Sequence, residues 1–280
     1  MIDLHMHSLF SDGTFTPEEL VASGVKNGVR AMALTDHDTT DGVARFVAAA
    51  QAAGLQAFSG VEVSADCDLG SVHVLGYGMD PAHPGFIKSL AWIRQGREER
   101  NQEILERLNR LGLALTYEEV TSHAGADVVA RPHFALAMMA KGYVSNKREA
   151  FDRYLARGKP AYAERRRFDP GQTFALIREA GGLPVLAHPF TLKLSGAAFR
   201  NTVTEFKSMG LAGLEVYYPE HAPDLVRTYL SLARELDLLV TGGSDFHGAV
   251  SPGIEIGRGF GHLLVPDEVA LALAGRLQAA

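Results

Sequence analysis

Met1-Ile2-Asp3-Leu4-His5-Met6-His7 opens the chain, and its alternation sets how everything after it is read. Ile2, Leu4 and Met6 alternate with Asp3, His5 and His7, the period of two of a β-strand, which points both imidazoles to one face. Towards the other end Ser244-Asp245-Phe246-His247 repeats the pattern, with Asp245 and His247 again sharing a face. Imidazole with carboxylate is a donor set suited to Mn, Fe or Zn. Two such pairs, near opposite ends of one chain, predict a barrel-like sheet whose first and last strands converge on a single metal centre.

The sequence between them alternates strand and helix patterns, so the expected class is α/β. Thr16-Pro17-Glu18-Glu19 supplies an N-cap, a proline at the first helical position and the glutamate of a capping box, opening a helix through about Lys26. Arg30 to Thr35 is a short buried strand ending in Asp36-His37-Asp38. Leu55 to Val63 and Val72 to Tyr77 read as further strands, as do Leu183 to Ala187, Leu211 to Tyr217 and Leu238 to Thr241. Asp169-Pro170 caps another helix. Strands separated by helices predict a parallel sheet, closed or nearly closed.

The middle breaks this rhythm. From Pro84 to Arg167 the pattern is mostly helical, with Leu90, Ile93, Ile104, Leu105, Leu108 and Leu111 at helical spacing and a second capping box at Thr116 and Glu119. The expected domains are therefore a barrel of residues 1–83 and 168–280 and a helical insertion of residues 84–167 capping the site. Between Ser145 and Arg167 eight Lys or Arg face three acids, in a chain whose formal net charge is −6. A solvated helix face is the plain reading of that run; beside a metal site it would also attract a polyanion. The acidic balance of the whole chain argues against coating long nucleic acid.

A single cysteine, Cys67, among 280 residues leaves no internal disulfide framework. The first residues show no basic segment followed by an apolar one, and no apolar run approaches the ~18–20 residues that span a bilayer. The expectation is a cytoplasmic protein with no membrane association and no protein partner.

In α/β barrels the chemistry gathers at strand C-termini. His5, His7, Asp12, His37, Glu62, His73, Arg131, His133, His188, Asp245 and His247 fall at or near such ends, and seven of the eleven histidines are among them. The other four, His83, His123, His221 and His262, have no partner pattern and are expected at the surface or behind the site.

These residues, together with Ser11-Asp12-Gly13, Thr35-Asp36-His37-Asp38, Gly60-Val61-Glu62, Arg131-Pro132-His133 and Ala187-His188-Pro189, closely resemble the motifs of the PHP (polymerase and histidinol phosphatase) metallophosphoesterases. The resemblance runs in order from Met1 to about His247. It implies a distorted (β/α)7 PHP barrel and a cluster of up to three divalent ions, Mn2+ first, with Fe2+ or Zn2+ suited to the same donors. One ion would be held by His5, His7, Glu62 and Asp245, a second by Asp12, His37 and His247, and a third by Glu62, His73 and His133. Arg131 would bind phosphate oxygens, and His188 would contact phosphate or donate a proton to the leaving group. Asp38 would orient His37 or the nucleophile.

The implied reaction is hydrolysis of a phosphoester by a metal-bound hydroxide. Within the family the short barrel with its helical insert looks most like enzymes that remove the 3′-phosphate of nucleoside 3′,5′-bisphosphates such as pAp. The basic insert would meet the second phosphate. The same subgroup resembles 5′-to-3′ exoribonucleases that trim short 5′-phosphorylated RNA, which is the alternative. Histidinol phosphatase fits less well, because the basic insert has no task with a small cationic alcohol. An inactive metal-binding scaffold would show lost ligands, and none is lost.

Overall fold

The computed structural model describes residues 1–123 and 129–279. They fall into two compact units, residues 1–90 with 168–280, and residues 91–167.

The first unit is built on seven strands in the order of the chain: β1 (Ile2–Asp3), β2 (Ala31–Leu34), β3 (Gln56–Cys67), β4 (Gly70–Tyr77), β5 (Leu183–Leu186), β6 (Gly213–Tyr217) and β7 (Leu239–Gly242). Strand β2 shows how the sheet divides its side chains. Ala31 and Ala33 join one apolar cluster with Leu75, Tyr77 and Val185, while Met32 and Leu34 join another with Leu20 and Phe46. That alternation is the pleat at work, and each fully buried large apolar side chain contributes about 1.5–3 kcal/mol. The sheet curls until its ends meet: Leu4 N–H donates to Gly242 O at 3.1 Å, Asp245 N–H to His5 O at 2.8 Å and His7 N–H to Phe246 O at 2.9 Å.

The sheet is mixed, where the strand–helix alternation had predicted a parallel one. Strand β4 runs antiparallel to both β3 and β5. The reason is local. Only Asp68 and Leu69 separate β3 from β4, too few for a crossover helix, and Gly70 (φ 102°) takes the left-handed turn conformation that glycine tolerates.

Around the sheet lie α1 (Pro17–Asn27) and α2 (Val43–Ala52), whose faces bury Leu20, Val21 and Phe46. Thr16 caps α1 with Glu19 completing the box, as the sequence indicated. The next helix, α3 (Pro84–Arg110), is long; it is followed by α4 (Tyr117–Thr121), α5 (Arg131–Ala140) and α6 (Lys147–Ala150). Then come α7 (Pro170–Glu179), capped by Asp169, and α8 (Gly196–Met209), α9 (Pro223–Glu235) and α10 (Asp267–Gln278).

The second unit has its own core, in which Ile104, Leu108, Leu115, Val120, Phe134, Met138 and Leu155 are buried together. Ile93, Ile104 and Leu108 are buried at their helical spacing on α3, whereas Leu111, one residue past its end, is exposed. No helix among the described residues is long and apolar enough to cross a membrane.

Candidate metal centre

Glu62 stands at the middle of a cluster assembled from strand ends of the first unit. Its Oε2 lies 3.1 Å from His5 Nε2, 3.2 Å from His7 Nε2 and 3.4 Å from His37 Nδ1. Its Oε1 lies 2.8 Å from His73 Nδ1 and 3.0 Å from His188 Nε2. The two oxygens of one carboxylate therefore face two different sets of histidines.

The local fold explains each placement. His5 and His7 follow β1 and are held by the exchange of backbone hydrogen bonds with Asp245 and Phe246. His37 follows β2 and bridges directly to Glu62 on β3, with Asp38 N–H donating to Glu62 O and Glu62 N–H to Asp36 O. The β3–β4 hairpin pairs His73 with Ser64, two residues beyond Glu62 on the same face, so the diagonal pair meets. His188 follows β5, and its N–H donates to Glu215 on β6 at 2.6 Å.

Three overlapping groups bring donor atoms within 4.8 Å of one another: His5, His7, Glu62 and Asp245; His7, Asp12, His37 and His247; and His37, Glu62 and His73. The first is the set expected from the sequence. The second gains His7, whose Nδ1 is 3.6 Å from Asp12 Oδ1, while His247 Nε2 is 3.2 Å from the same oxygen. The third has His37 beside Glu62 and His73. His133 is in none of these groups; it stands on α5 of the second unit, where its Nδ1 accepts the Ala130 N–H at 3.0 Å. Asp38 is tied to β3, its Oδ1 accepting the Ser64 N–H at 2.9 Å.

The donors fit divalent cations. Both ring nitrogens of His7, Nδ1 of His37 and Oδ1 of Asp245 are buried without a hydrogen bond, although they crowd one another. Buried polar atoms left in this way are costly unless something satisfies them, and converging lone pairs are what an ion requires.

Electrostatics agree. Burial would raise the Glu62 pKa, but His37, His73 and His5 hold it well below the carboxylate range. Asp245 behaves likewise, under His5, His7 and His247. Burial pulls His7 down, and the carboxylates of Asp245, Glu62 and Asp12 overcome that pull and raise it to about 10. His37 is lowered to about 4, burial outweighing Glu62 and Asp12 with help from His7 and His73. Of five described non-glycine residues with positive φ, three lie here: Asp38 at 54°, His188 at 24° and Asp245 at 53°. Such backbone conformations are costly and gather at functional sites.

Supporting groups lie behind the donors. Glu215 Oε1 accepts from His5 Nδ1 at 2.9 Å, leaving Nε2 to face Glu62 and Asp245. Asp3 accepts from the backbone N–H groups of His5, Ser244 and Gly257, joining both chain ends. Asp36 accepts from the hydroxyls of Ser8 and Ser11. The reading of the sequence passed over Glu215. A charged residue between Leu214 and Val216 in an otherwise apolar strand was the signal for it. His221, expected at the surface or behind the site, is buried and packs 5.2 Å from the Tyr218 ring.

The second unit holds a different kind of cluster. Arg97 and Arg100, three residues apart on α3, are buried. Burial, with Arg165, Arg97, Arg131 and Arg167 around it, lowers Arg100 to a pKa of about 9. Arg131 lies over the rings of Tyr162 and Phe151. The basic run is thus split. Arg165 and Arg167 join this cluster, whereas Arg166 pairs with Glu99 and lies over Trp92. Arg148, Arg153 and Arg157 form exposed ion pairs, as a solvated face does.

Comparison with known proteins agrees with this geometry. A PHP domain model matches residues 3–157. The chain is 35% identical over 262 residues to a 3′,5′-nucleoside bisphosphate phosphatase of Chromobacterium violaceum, covering 93% of this chain and 90% of the relative. It is 34% identical over 245 residues to a 5′-3′ exoribonuclease of Haemophilus influenzae, covering 88% and 89%. A solved structure of an amidohydrolase from Chromobacterium violaceum, with bound sulfate and no metal, superposes with a TM-score of 0.81 at 32% identity, covering 99% and 96% of the two chains. The chain belongs to the PHP domain family and is a metal-dependent hydrolase of phosphate esters.

Proposed function

We propose that this PHP phosphoesterase removes the 3′-phosphate from nucleoside 3′,5′-bisphosphates of the pAp type, giving the 5′-monophosphate and phosphate. The observation that carries the reading is the arginine cluster of the second unit. Burial, with Arg165, Arg97, Arg131 and Arg167 beside it, lowers the Arg100 guanidinium to a pKa of about 9, and such a concentration of like charge attracts an anion. The first unit would attract phosphate independently, because up to three divalent ions would outweigh the carboxylates of Asp12, Glu62 and Asp245. A nucleoside 3′,5′-bisphosphate carries two phosphates, whereas a simple alcohol phosphate carries one. The identity to the C. violaceum bisphosphate phosphatase supports the same choice.

Ions held by the three donor groups, Mn2+ first given the nitrogen and oxygen donors, would supply Lewis acidity toward phosphate oxygens and lower the pKa of water. The chain's own residues do the rest. Glu62 spans two donor groups. His188, its Nε2 on Glu62 and its Nδ1 3.4 Å from the Thr191 hydroxyl, would contact phosphate or donate to the leaving oxygen. Burial opposes its protonation, but Glu62, Asp245 and Glu215 prevail and raise its pKa, which suits a donor. Arginine forks present paired N–H groups to phosphate oxygens.

The alternative is 5′-to-3′ trimming of short 5′-phosphorylated RNA, favoured by the identity to the H. influenzae exoribonuclease. The deciding experiment offers pAp and a 5′-phosphorylated RNA trimer to Mn2+-loaded protein side by side. Rapid conversion of pAp to AMP and phosphate, with a slow trimer, supports the bisphosphate reading. Mononucleotides released stepwise from the 5′ end at a comparable or faster rate replace it with the ribonuclease.

A further inference from the structure

We propose that Tyr218 is a positioning residue of the metal centre, its hydroxyl turning the Asp245 carboxylate so that one oxygen alone faces the donor cluster. The inference rests on the reading of that cluster as a site for divalent ions. It concerns a residue outside all three donor groups.

Tyr218 Oη donates to Asp245 Oδ2 at 2.9 Å. The other oxygen, Oδ1, lies 3.2 Å from His5 Nε2 and 3.1 Å from His7 Nε2, and it is buried with no hydrogen bond of its own. The two oxygens of Asp245 thus have different tasks, and the phenol is what tells them apart. A carboxylate free to rotate could offer either oxygen, or chelate with both. With Oδ2 accepting the O–H, the arrangement through Oδ1 alone is favoured. The constraint matters at this residue because Asp245 also sits at φ 53°, so its side chain leaves a backbone already held in a sparsely populated conformation.

The phenol is itself held. Its ring centroid lies 5.6 Å from that of His188, 5.5 Å from Phe190 and 5.2 Å from His221. His221 is anchored in turn, its Nδ1 donating to Val216 O at 2.8 Å. This packing lets the hydroxyl serve as a fixed point rather than a mobile contact. Strand β6 thereby supports two donors while contributing none itself: Glu215 orients His5, and Tyr218, just past the strand's end, orients Asp245. Groups that fix ligand orientation from behind commonly change metal affinity by 10–100-fold when removed.

The test is Tyr218→Phe, which keeps the ring and its three neighbours and removes only the hydroxyl. Metal-free variant and unaltered protein are compared by thermal melting, Mn2+ titration calorimetry and the visible absorption of the Co2+-loaded forms. The expected result is an unchanged melting temperature, Mn2+ binding weakened about tenfold, and an altered Co2+ spectrum reporting a changed carboxylate. In an Asp245→Asn background the same change should have little further effect. Unchanged Mn2+ affinity and Co2+ spectrum in a folded Tyr218→Phe protein would overturn the inference and leave the metal centre standing. Failure of the unaltered protein to bind either ion would overturn the metal reading and this inference with it. A lowered melting temperature in the metal-free state, with ion affinity intact, would make Tyr218 a packing residue only.

Discussion

His5 Nδ1 lies 2.9 Å from Glu215 Oε1, with both side chains fully buried. The contact keeps a proton on Nδ1, so Nε2, 3.1 Å from Glu62 Oε2 and 3.2 Å from Asp245 Oδ1, is the nitrogen that would serve an ion after losing its own proton. The same carboxylate accepts the His188 backbone N–H through Oε2, so one residue of β6 orients the His5 ring after β1 and holds the backbone of His188 after β5.

Glu215→Gln should therefore weaken Mn2+ binding by about 10–100-fold, since the amide can present its nitrogen to His5 and displace the proton from Nδ1. Calorimetric titration of the metal-free variant checks this, and affinity equal to that of the unaltered protein would remove Glu215 from the centre.

Glu62 faces His5, His7 and His37 with one oxygen and His73 and His188 with the other. Glu62→Ala should lose at least one ion per chain by elemental analysis after dialysis. Full metal content would refute the spanning role.

Metal loading should release protons. In the metal-free protein His7 is raised from 6.5 to about 10, so it is protonated at pH 7.5 and must lose that proton to ligate. Titrations with Mn2+ in buffers of different ionisation enthalpy should give different apparent heats; identical heats would exclude the release. The sign for stability follows. The His7 contribution to the metal-free fold is fully present below about pH 6.5 and is lost as the pH climbs towards 10.

Arg100→Met should raise KM for a nucleoside bisphosphate at least tenfold while changing an aryl phosphate little, because it removes a buried donor from the second cluster. The metal-free protein should be no less stable, since burial and four neighbouring cations already disfavour the charge. Arg148→Ala, at an exposed ion pair, should change neither. Equal KM changes for both substrates in Arg100→Met would sever the cluster from substrate binding.

The meeting of the sheet's two ends depends on Gly243. A Cβ there would come within 2.3 Å of His5 N and 2.8 Å of Asp3 Oδ1. Gly243→Ala should destabilise the fold by about 2–3 kcal/mol, read as a lower denaturant midpoint, and should weaken Mn2+ binding with it. An unchanged midpoint would show that the two ends have room to separate.

The sequence by itself determined that His5, His7, Asp245 and His247 come together and that the sheet's two ends meet. Period-two alternation at His5 and His7 and at Asp245 and His247 is a local signal, although both pairs lie just past β1 and β7 rather than in them and Asp245 leaves the extended conformation. Caps at Thr16, Thr116 and Asp169 were legible for the same reason, each being a contact across three residues. Tertiary structure decided the rest. The reversal of β4 depends on a two-residue turn that also reads as a strand interruption. The arginine cluster draws Arg97 and Arg100 from one helix and Arg131, Arg165 and Arg167 from elsewhere in the second unit, a convergence that no spacing reveals. Glu215 and Tyr218 acquire their roles only when β6 lies beside the strands that carry His188 and Asp245. Periodicity reports a residue's face, whereas a partner brought from thirty or two hundred residues away is chosen by packing.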